Sequence, residues 1–393
     1  MVEYRLMIKL TLFSQLLIYL PRNILDTRTT QYKGDKANGH FDTKTHLIVL
    51  LASQMKNWKS LREIETGFLS KEKYLYHLGI EKLPKRSTLS EANTNRNHKI
   101  FEEIFYDLLK IIRSKLNAGK KLIIKKELNL FDATVITLSL ELFEWAKYRK
   151  SKGAFKIHTT FNVQSQTPTF ANITTGNIAD IDGIDQDLEK YKNSILVFDR
   201  GYSSSSLFKR LDDLEIIFVT RLKRDIKYII EETKEVNKYG VSTDQIIKFT
   251  GDKAKRKYSG KIRLVTFTDK ETKKEFKFLT NNFTYSPKTI AYLYKKRWDI
   301  ELFFKWIKQN LIIKKYLGQS ENAVKIQVWC ALISYLLIIY VKESISFTGT
   351  MLEFTRLIRE SLFDDIGLID LKNKKFISKK KTRSENVGQV EIF

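Results

Sequence analysis

The sequence predicts an α/β protein with a mixed sheet and helices at both ends. In the first third of the chain, apolar residues recur at three- and four-residue spacing; Ile100, Ile104, Phe105, Leu108, Leu109 and Ile112 fall on one helical face. Between residues 129 and 221 the rhythm changes to short β-branched runs separated by short amphipathic segments, the pattern of strands alternating with helices. From Ser286-Pro287, a capping residue followed by proline at the first helical position, helical spacing returns.

Leu12, Phe13, Leu16, Leu17 and Leu20 follow helical spacing, and Leu47 to Met55 is an apolar run without Gly or Pro. Lys85, Arg86, Arg96 and Lys99 sit among Ser, Thr and Asn, either a solvated face or a DNA contact. Asn117 to Lys121 reads as a linker. Asn129 to Leu138 is a strand, and Phe155 to Val163 with Thr169 to Thr175 forms a hairpin. A short helix at Ile184 to Tyr191, a buried strand at Ser194 to Phe198, a Ser-capped helix at Ser203 to Leu211 and a strand at Ile216 to Arg221 follow. Residues 224–283 read as a β-rich insertion, with runs at Ile262 to Phe267 and Glu275 to Leu279. A single helix is expected from Pro287 to Leu311, and the tail from Lys372 to Arg383 is strongly basic.

Composition narrows the function. The 393 residues carry 70 Lys and Arg against 45 Asp and Glu, a formal net charge of +25, which points to a polyanionic partner. Hydrophobic residues at 42% supply a large core and exclude wholesale disorder. One cysteine, Cys330, excludes a disulfide framework within the chain and a Cys-rich zinc site. Its surroundings, Val328 to Val341, form an apolar run of about 14 residues, short of the roughly 20 that span a membrane. Leu10 to Leu20 lacks a small-residue cleavage site, so the expectation is a soluble, unexported protein.

Cleavage of phosphodiesters is often carried by hard cations held between carboxylates. Asp132 lies inside the otherwise apolar run Leu130 to Ile136, and Asp199 follows Ile195 to Phe198 and precedes Arg200-Gly201-Tyr202. A carboxylate at the end of a buried strand is either a satisfied strand-end or capping residue or part of a site. The third candidate comes from helical geometry. At about 100° per residue, Tyr294, Arg297, Glu301 and Lys308 fall within a stripe roughly 60° wide and about 21 Å long. Apolar residues flank the stripe on both sides. It is either a surface face with an Arg297–Glu301 ion pair or a carboxylate set among phosphate-gripping groups.

Tyr294-x2-Arg297-x3-Glu301-x6-Lys308 resembles the signature of the insertion sequence 4 family of DDE transposases at every spacing. Asp132-Ala133-Thr134 and Asp199-Arg200-Gly201-Tyr202 resemble that family's first and second aspartate motifs, and Lys152 to His158 is similar to the strand that follows the first. Ser60 to Glu65 and Ser87 to Asn93 are similar to a helical module preceding the core in a subgroup, so the likeness covers about residues 10–345. The resemblance implies a ribonuclease H-like core in which Asp132, Asp199 and Glu301 bind two Mg²⁺ (or Mn²⁺) ions. It implies that Tyr294, Arg297 and Lys308 hold the DNA backbone, with Arg200, Tyr202, Lys156 and His158 as further DNA contacts. The chain would divide into a DNA-binding helical module (1–118), two parts of the catalytic core (119–223 and 284–345) around the insertion (224–283), and a C-terminal helical segment with the tail (346–393).

The implied partner is double-stranded DNA, both transposon ends and target, bound by a homodimer in the bacterial cytoplasm at the nucleoid, with no membrane. Two other functions stay open at this point: a DNA-binding derivative without chemistry, and a metal-dependent nuclease that cuts without joining. His40, His46, His77 and His98 lack paired metal-ligand spacing and read as surface or capping residues.

Overall fold

The computed structural model describes residues 10–35, 41–116, 124–149, 152–184, 187–238, 240–251, 257–269 and 273–372. The linker at 117–121, His40 and the tail beyond Lys372 lie outside the described residues.

The sheet is built on β1 (Leu128–Leu138), which is buried along most of its length. On one side it pairs antiparallel with β3 (Lys152–Asn162), which pairs in turn with β4 (Thr167–Thr175) and the short β2 (Lys147–Arg149). On its other side β1 pairs parallel with β5 (Ile195–Phe198), and β5 pairs parallel with β6 (Ile217–Arg221). The β-rich segment does not stand apart. Its strands β7 (Tyr228–Lys238), β8 (Val241–Phe249), β9 (Ile262–Thr268) and β10 (Glu275–Thr280) form an antiparallel run, and β10 pairs with β6, making one ten-stranded sheet.

Alternation along β1 sends side chains to two different cores. Phe131, Leu196, Phe198 and Phe218 pack on α8 (Ser205–Asp213) through Leu207, Phe208 and Leu211. Ser204 caps α8 by accepting the Leu207 N–H at 3.2 Å. The opposite face, with Leu130, Ile195, Val197 and Val219, is covered by α9 (Pro287–Lys295) and α10 (Trp298–Asn310) through Ile290, Leu293, Ile300 and Phe303.

The expected single helix from Pro287 to Leu311 is two helices. The Arg297, Asp299 and Ile300 amides bond three residues back, to Tyr294, Lys296 and Arg297 carbonyls at 3.0, 2.9 and 3.3 Å, which tightens the chain at the junction. The expected helix at Ile184 to Tyr191 is instead a 3₁₀ turn at Leu188–Tyr191, with another at Asp180–Gly183.

N-terminal helices share the core of the C-terminal ones. Helix α3 (Thr43–Lys56) and α7 (Lys99–Leu116) pack on the 24-residue α11 (Glu321–Ser344), which is long and apolar enough to pass for a membrane span but whose apolar stretch is almost wholly buried inside the protein. It is longer than the 14-residue apolar run suggested, and Cys330 within it is buried, as expected of a small hydrophobe. Residues 12–13 hydrogen-bond residues 362–364, so the two ends of the described chain are tied together. Arg96 does not join a basic surface. Its side chain is fully buried, donating to the Gly34 and Phe41 carbonyls at 3.2 and 2.7 Å, because the loop before α3 needs its carbonyls satisfied.

His46, on α3, is also fully buried rather than a surface residue, with Nε2 2.8 Å from Asn93 Oδ1. Burial, with Arg96 nearby, lowers its pKa to about 3. The folded pKa is depressed, so this contribution to stability is intact above the unfolded value of about 6.5 and is lost as pH falls. Wild-type protein should lose about 2 kcal/mol between pH 6.5 and 5 through this residue, at about 1.4 kcal/mol per unit. Urea midpoints across that range check it: a His46→Gln variant with the same pH slope as wild type would remove His46 as the cause.

Candidate active site

Asp132 and Asp199 come together because β1 and β5 are parallel and in register, Phe131 opposite Phe198. Each aspartate is the next residue, so the two lie side by side, Asp199 just past the end of β5 and Asp132 inside the longer β1. The chain order departs from this point in both directions across the sheet, where open α/β sheets form clefts. Both fall on the face that α9 and α10 cover, the face of Leu130 and Val197.

Helix α10 supplies the third carboxylate. Arg297, at the junction of the two helices, donates from Nη1 to Asp132 Oδ2 at 3.2 Å and from Nη2 to Glu301 Oε1 at 2.5 Å. Tyr294 donates from its phenol to Asp199 Oδ1 at 3.2 Å. The stripe is therefore not a solvent face. Tyr294 and Arg297 reach over the sheet and engage the aspartates beside β5 and on β1. Asp132 Oδ1 also accepts the Ala133 N–H at 2.8 Å.

Electrostatics follow from burial. Asp132 is pushed up to about 6, first by loss of water and then by Glu301 and Asp199, against the pull of Ala133 N–H and Arg297. Tyr294 is pushed up to about 12 by burial, so its phenol keeps its proton and stays a donor. Burial opposes the charge on Arg297, but Tyr294, Glu301 and Asp132 together raise its pKa above the ordinary value. Burial and Lys314 lower that of Lys308.

A groove of about 470 Å³ opens beside Asp132 and Glu301, lined also by Thr134, Lys305, Lys308, Gln309 and Lys314. Lys308 donates to the Val135 carbonyl at 3.2 Å, bridging α10 to β1. Lys305 and Lys314 are exposed, and neither has an acidic partner among the described residues. Sequence reasoning missed both. Lys305 lies one turn before Lys308 on the same helix and was visible in the spacing. Lys314 was not: Gln54 and Gln327 place its loop, the first accepting the Ile312 N–H at 2.7 Å and the second donating to the Ile312 and Lys315 carbonyls, each at 2.7 Å.

Of the other expected contacts, Arg200 is exposed next to Asp199. Three are placed elsewhere. Tyr202 is 2% exposed on the opposite face, with its ring 4.8 Å from that of Phe131. Lys156 and His158 alternate to that same opposite face. Lys156 pairs with Asp180 at 2.8 Å, and His158 is fully buried with Nε2 3.0 Å from Thr174 Oγ1. These three support the turn at Asp180–Gly183 rather than a DNA surface, and burial, the largest cause, lowers the pKa of His158 to about 4, which keeps it neutral.

The donor set suits a hard divalent cation: three carboxylates, of which Asp132 is raised first by burial and then by Glu301 and Asp199. In this conformation the Arg297 guanidinium stands between two of them, and no group of three or more His, Cys, Asp or Glu side chains among the described residues converges on one point.

A sequence profile described as "Transposase DDE domain" matches residues 124–337, more than half of the chain, and one described as a domain of unknown function (DUF4372) matches residues 9–81. The chain is similar to a putative transposase, y4zB, of Sinorhizobium fredii, 29% identical over 297 residues that cover 73% of this chain and 80% of that one. It is 30% identical over 247 residues to a probable transposase for insertion sequence element IS5377 of Geobacillus stearothermophilus, covering 60% of this chain and 64% of that one. It is 28% identical to a putative transposase for insertion sequence element IS4SA of Synechocystis, covering 72% and 79%.

Proposed function

This chain belongs to the transposase DDE-domain family, enzymes that cleave DNA and transfer strands with a divalent metal, and we propose that it moves an insertion sequence by cut-and-paste, binding the element's terminal inverted repeats. One observation carries the proposal to residues: Asp132 within β1 stands beside Asp199 at the end of the neighbouring β5, with Glu301 brought to Asp132 through Arg297. The antiparallel β4-β3-β1 order continued by parallel β5 and β6 supports a ribonuclease H-like core. The spacing of Tyr294, Arg297, Glu301 and Lys308 supports placement in the insertion sequence 4 group.

Asp132, Asp199 and Glu301 would hold two Mg²⁺ or Mn²⁺ ions, which would supply Lewis-acid polarisation of the phosphate and activation of the attacking water or DNA 3′-hydroxyl. The chain's own residues position the reactants. Tyr294 orients Asp199 by hydrogen bond, and Lys308 with Lys305 and Lys314 attracts the phosphates flanking the scissile one. Arg200 adds a contact at the rim. The helices of 1–118 bind duplex DNA beside this core, and two copies assemble on paired ends, in the cytoplasm at the nucleoid.

The test is incubation of the purified full chain with Mg²⁺ and a labelled duplex carrying the DNA that borders its reading frame. Cleavage at the junction followed by joining to a second duplex is expected. Cleavage without joining identifies a nuclease, and binding alone a DNA-binding derivative. Binding itself should be strongly salt-dependent, given the net charge of +25. If about six phosphates are neutralised, affinity falls on the order of 10³-fold between 50 and 200 mM salt. A flat response in fluorescence anisotropy would rule out a DNA backbone as the main partner.

A further inference from the structure

We propose that Arg297 is the resident counter-cation of the Asp132–Glu301 pair, and that a DNA phosphate draws it away so that metal and DNA bind cooperatively. This rests on the metal-dependent reading above. Two of the five guanidinium donors are committed to the two carboxylates, and the cation lies 5.7 Å from the Tyr294 ring centre. Nε is buried with no partner among the described residues, so the side chain is incompletely satisfied where it lies. A buried charge needs a partner, and the Arg297 bridge is what neutralises this pair.

A divalent cation on the same oxygens meets that guanidinium as a like charge, and one must yield. The planar fork of arginine matches a phosphate as well as it matches a carboxylate, often with two parallel hydrogen bonds. The groove lined by Asp132 and Glu301, the two carboxylates that Arg297 bridges, supplies the means of bringing a phosphate to them, through Lys305, Lys308 and Lys314. Arg297 also sits at the tightened junction between α9 and α10, where the side chain can be re-aimed without opening the i→i−4 ladder of α10. A phosphate therefore releases Asp132 and Glu301 to the metal, and the metal releases Arg297 to the phosphate. Without DNA the carboxylates stay occupied, which holds an enzyme that cuts DNA unloaded until its substrate is seated.

Coupling of this kind is reciprocal: the duplex raises metal affinity by the same factor that metal raises duplex affinity. The experiment is a Mn²⁺ titration of the full chain followed by electron paramagnetic resonance, with and without the duplex bordering the reading frame. Wild type, Arg297→Gln and Arg297→Lys are compared, each with its thermal melt. Wild type should bind Mn²⁺ about 10-fold more tightly with duplex than without, within the usual range of coupling. Arg297→Gln should bind Mn²⁺ about 10-fold more tightly than wild type in the absence of DNA, with the coupling factor collapsing toward about one. Arg297→Lys keeps the charge but cannot bridge both carboxylates, so it should fall between them, and it carries the comparison if Arg297→Gln melts early.

Equal DNA-free affinity in wild type and Arg297→Gln, or full coupling retained in Arg297→Gln, overturns the inference. If wild type binds Mn²⁺ and cuts the duplex while those differences are missing, this inference alone fails. Wild type that takes up no Mn²⁺ even with duplex overturns the metal-dependent reading with it.

Discussion

Alanine at Asp132, Asp199 or Glu301 will leave less than roughly a tenth of DNA cleavage while binding of a terminal duplex survives, because ligands of one metal site fail as a unit. Asp132 separates chemistry from stability. Its carboxylate is pushed up to about 6, and its side chain is 19% exposed. With a raised folded pKa, its contribution to stability is full below the unfolded value and is lost as pH rises through about 6. Above that pH the ionised group costs on the order of 2 kcal/mol, about two units at about 1.4 kcal/mol each, reduced for the part still exposed. Asp132→Asn keeps the shape and removes the charge. Melted in EDTA at pH 7.5 it should be a few degrees more stable than wild type, yet inactive with Mg²⁺. Retained cleavage above that tenth would take the residue out of the site, and a lower melting temperature would show that the loss of activity came from misfolding.

Most of the sheet was legible because buried strands declare themselves locally. Leu128–Leu138, Lys152–Asn162 and Ile217–Arg221 each differ from the expected runs by no more than a few residues at an end. So was the stripe from Tyr294 on α9 to Lys308 on α10, since a polar row between apolar flanks follows from helical period alone. What failed has one cause: side-chain destinations set by partners far away in sequence. Nothing in Lys295-Lys296-Arg297-Trp298 breaks a helix, lacking both Gly and Pro, yet the helix tightens there where Arg297 meets Asp132, 165 residues earlier. His158 and Lys156 were expected at DNA from the resemblance, but strand alternation sends them to the face opposite the carboxylates. Arg96 read as a surface cation because its partners, the carbonyls of Gly34 and Phe41, are more than 50 residues away.

Lys308 is where the structure changes the expected role most usefully. It lies seven residues beyond Glu301, about 10 Å along the helix, too far to share a metal-bound atom with that carboxylate. Its ammonium donates to the Val135 carbonyl, three residues after Asp132 on β1. The lysine thus clasps the helix carrying Glu301 to the strand carrying Asp132, and it lines the groove a phosphate would enter. Lys308→Ala removes both functions, so end-complex formation and strand joining should each fall about 10-fold or more, on the scale of a lost charged hydrogen bond. Cleavage of a loosely held duplex at high Mg²⁺ should persist in part, since the three carboxylates remain. Lys308→Met keeps the aliphatic stem against α10 and loses the charge. It should bind end DNA as poorly as alanine, with a salt dependence shallower by about one unit of slope, the mark of one phosphate contact. Lys308→Arg should restore most of the binding. A gel-shift series from 50 to 200 mM salt beside cleavage and joining assays reads all three variants. Unchanged end binding in Lys308→Ala together with complete loss of cleavage would place this ammonium in the chemical step and end its assignment to the DNA backbone.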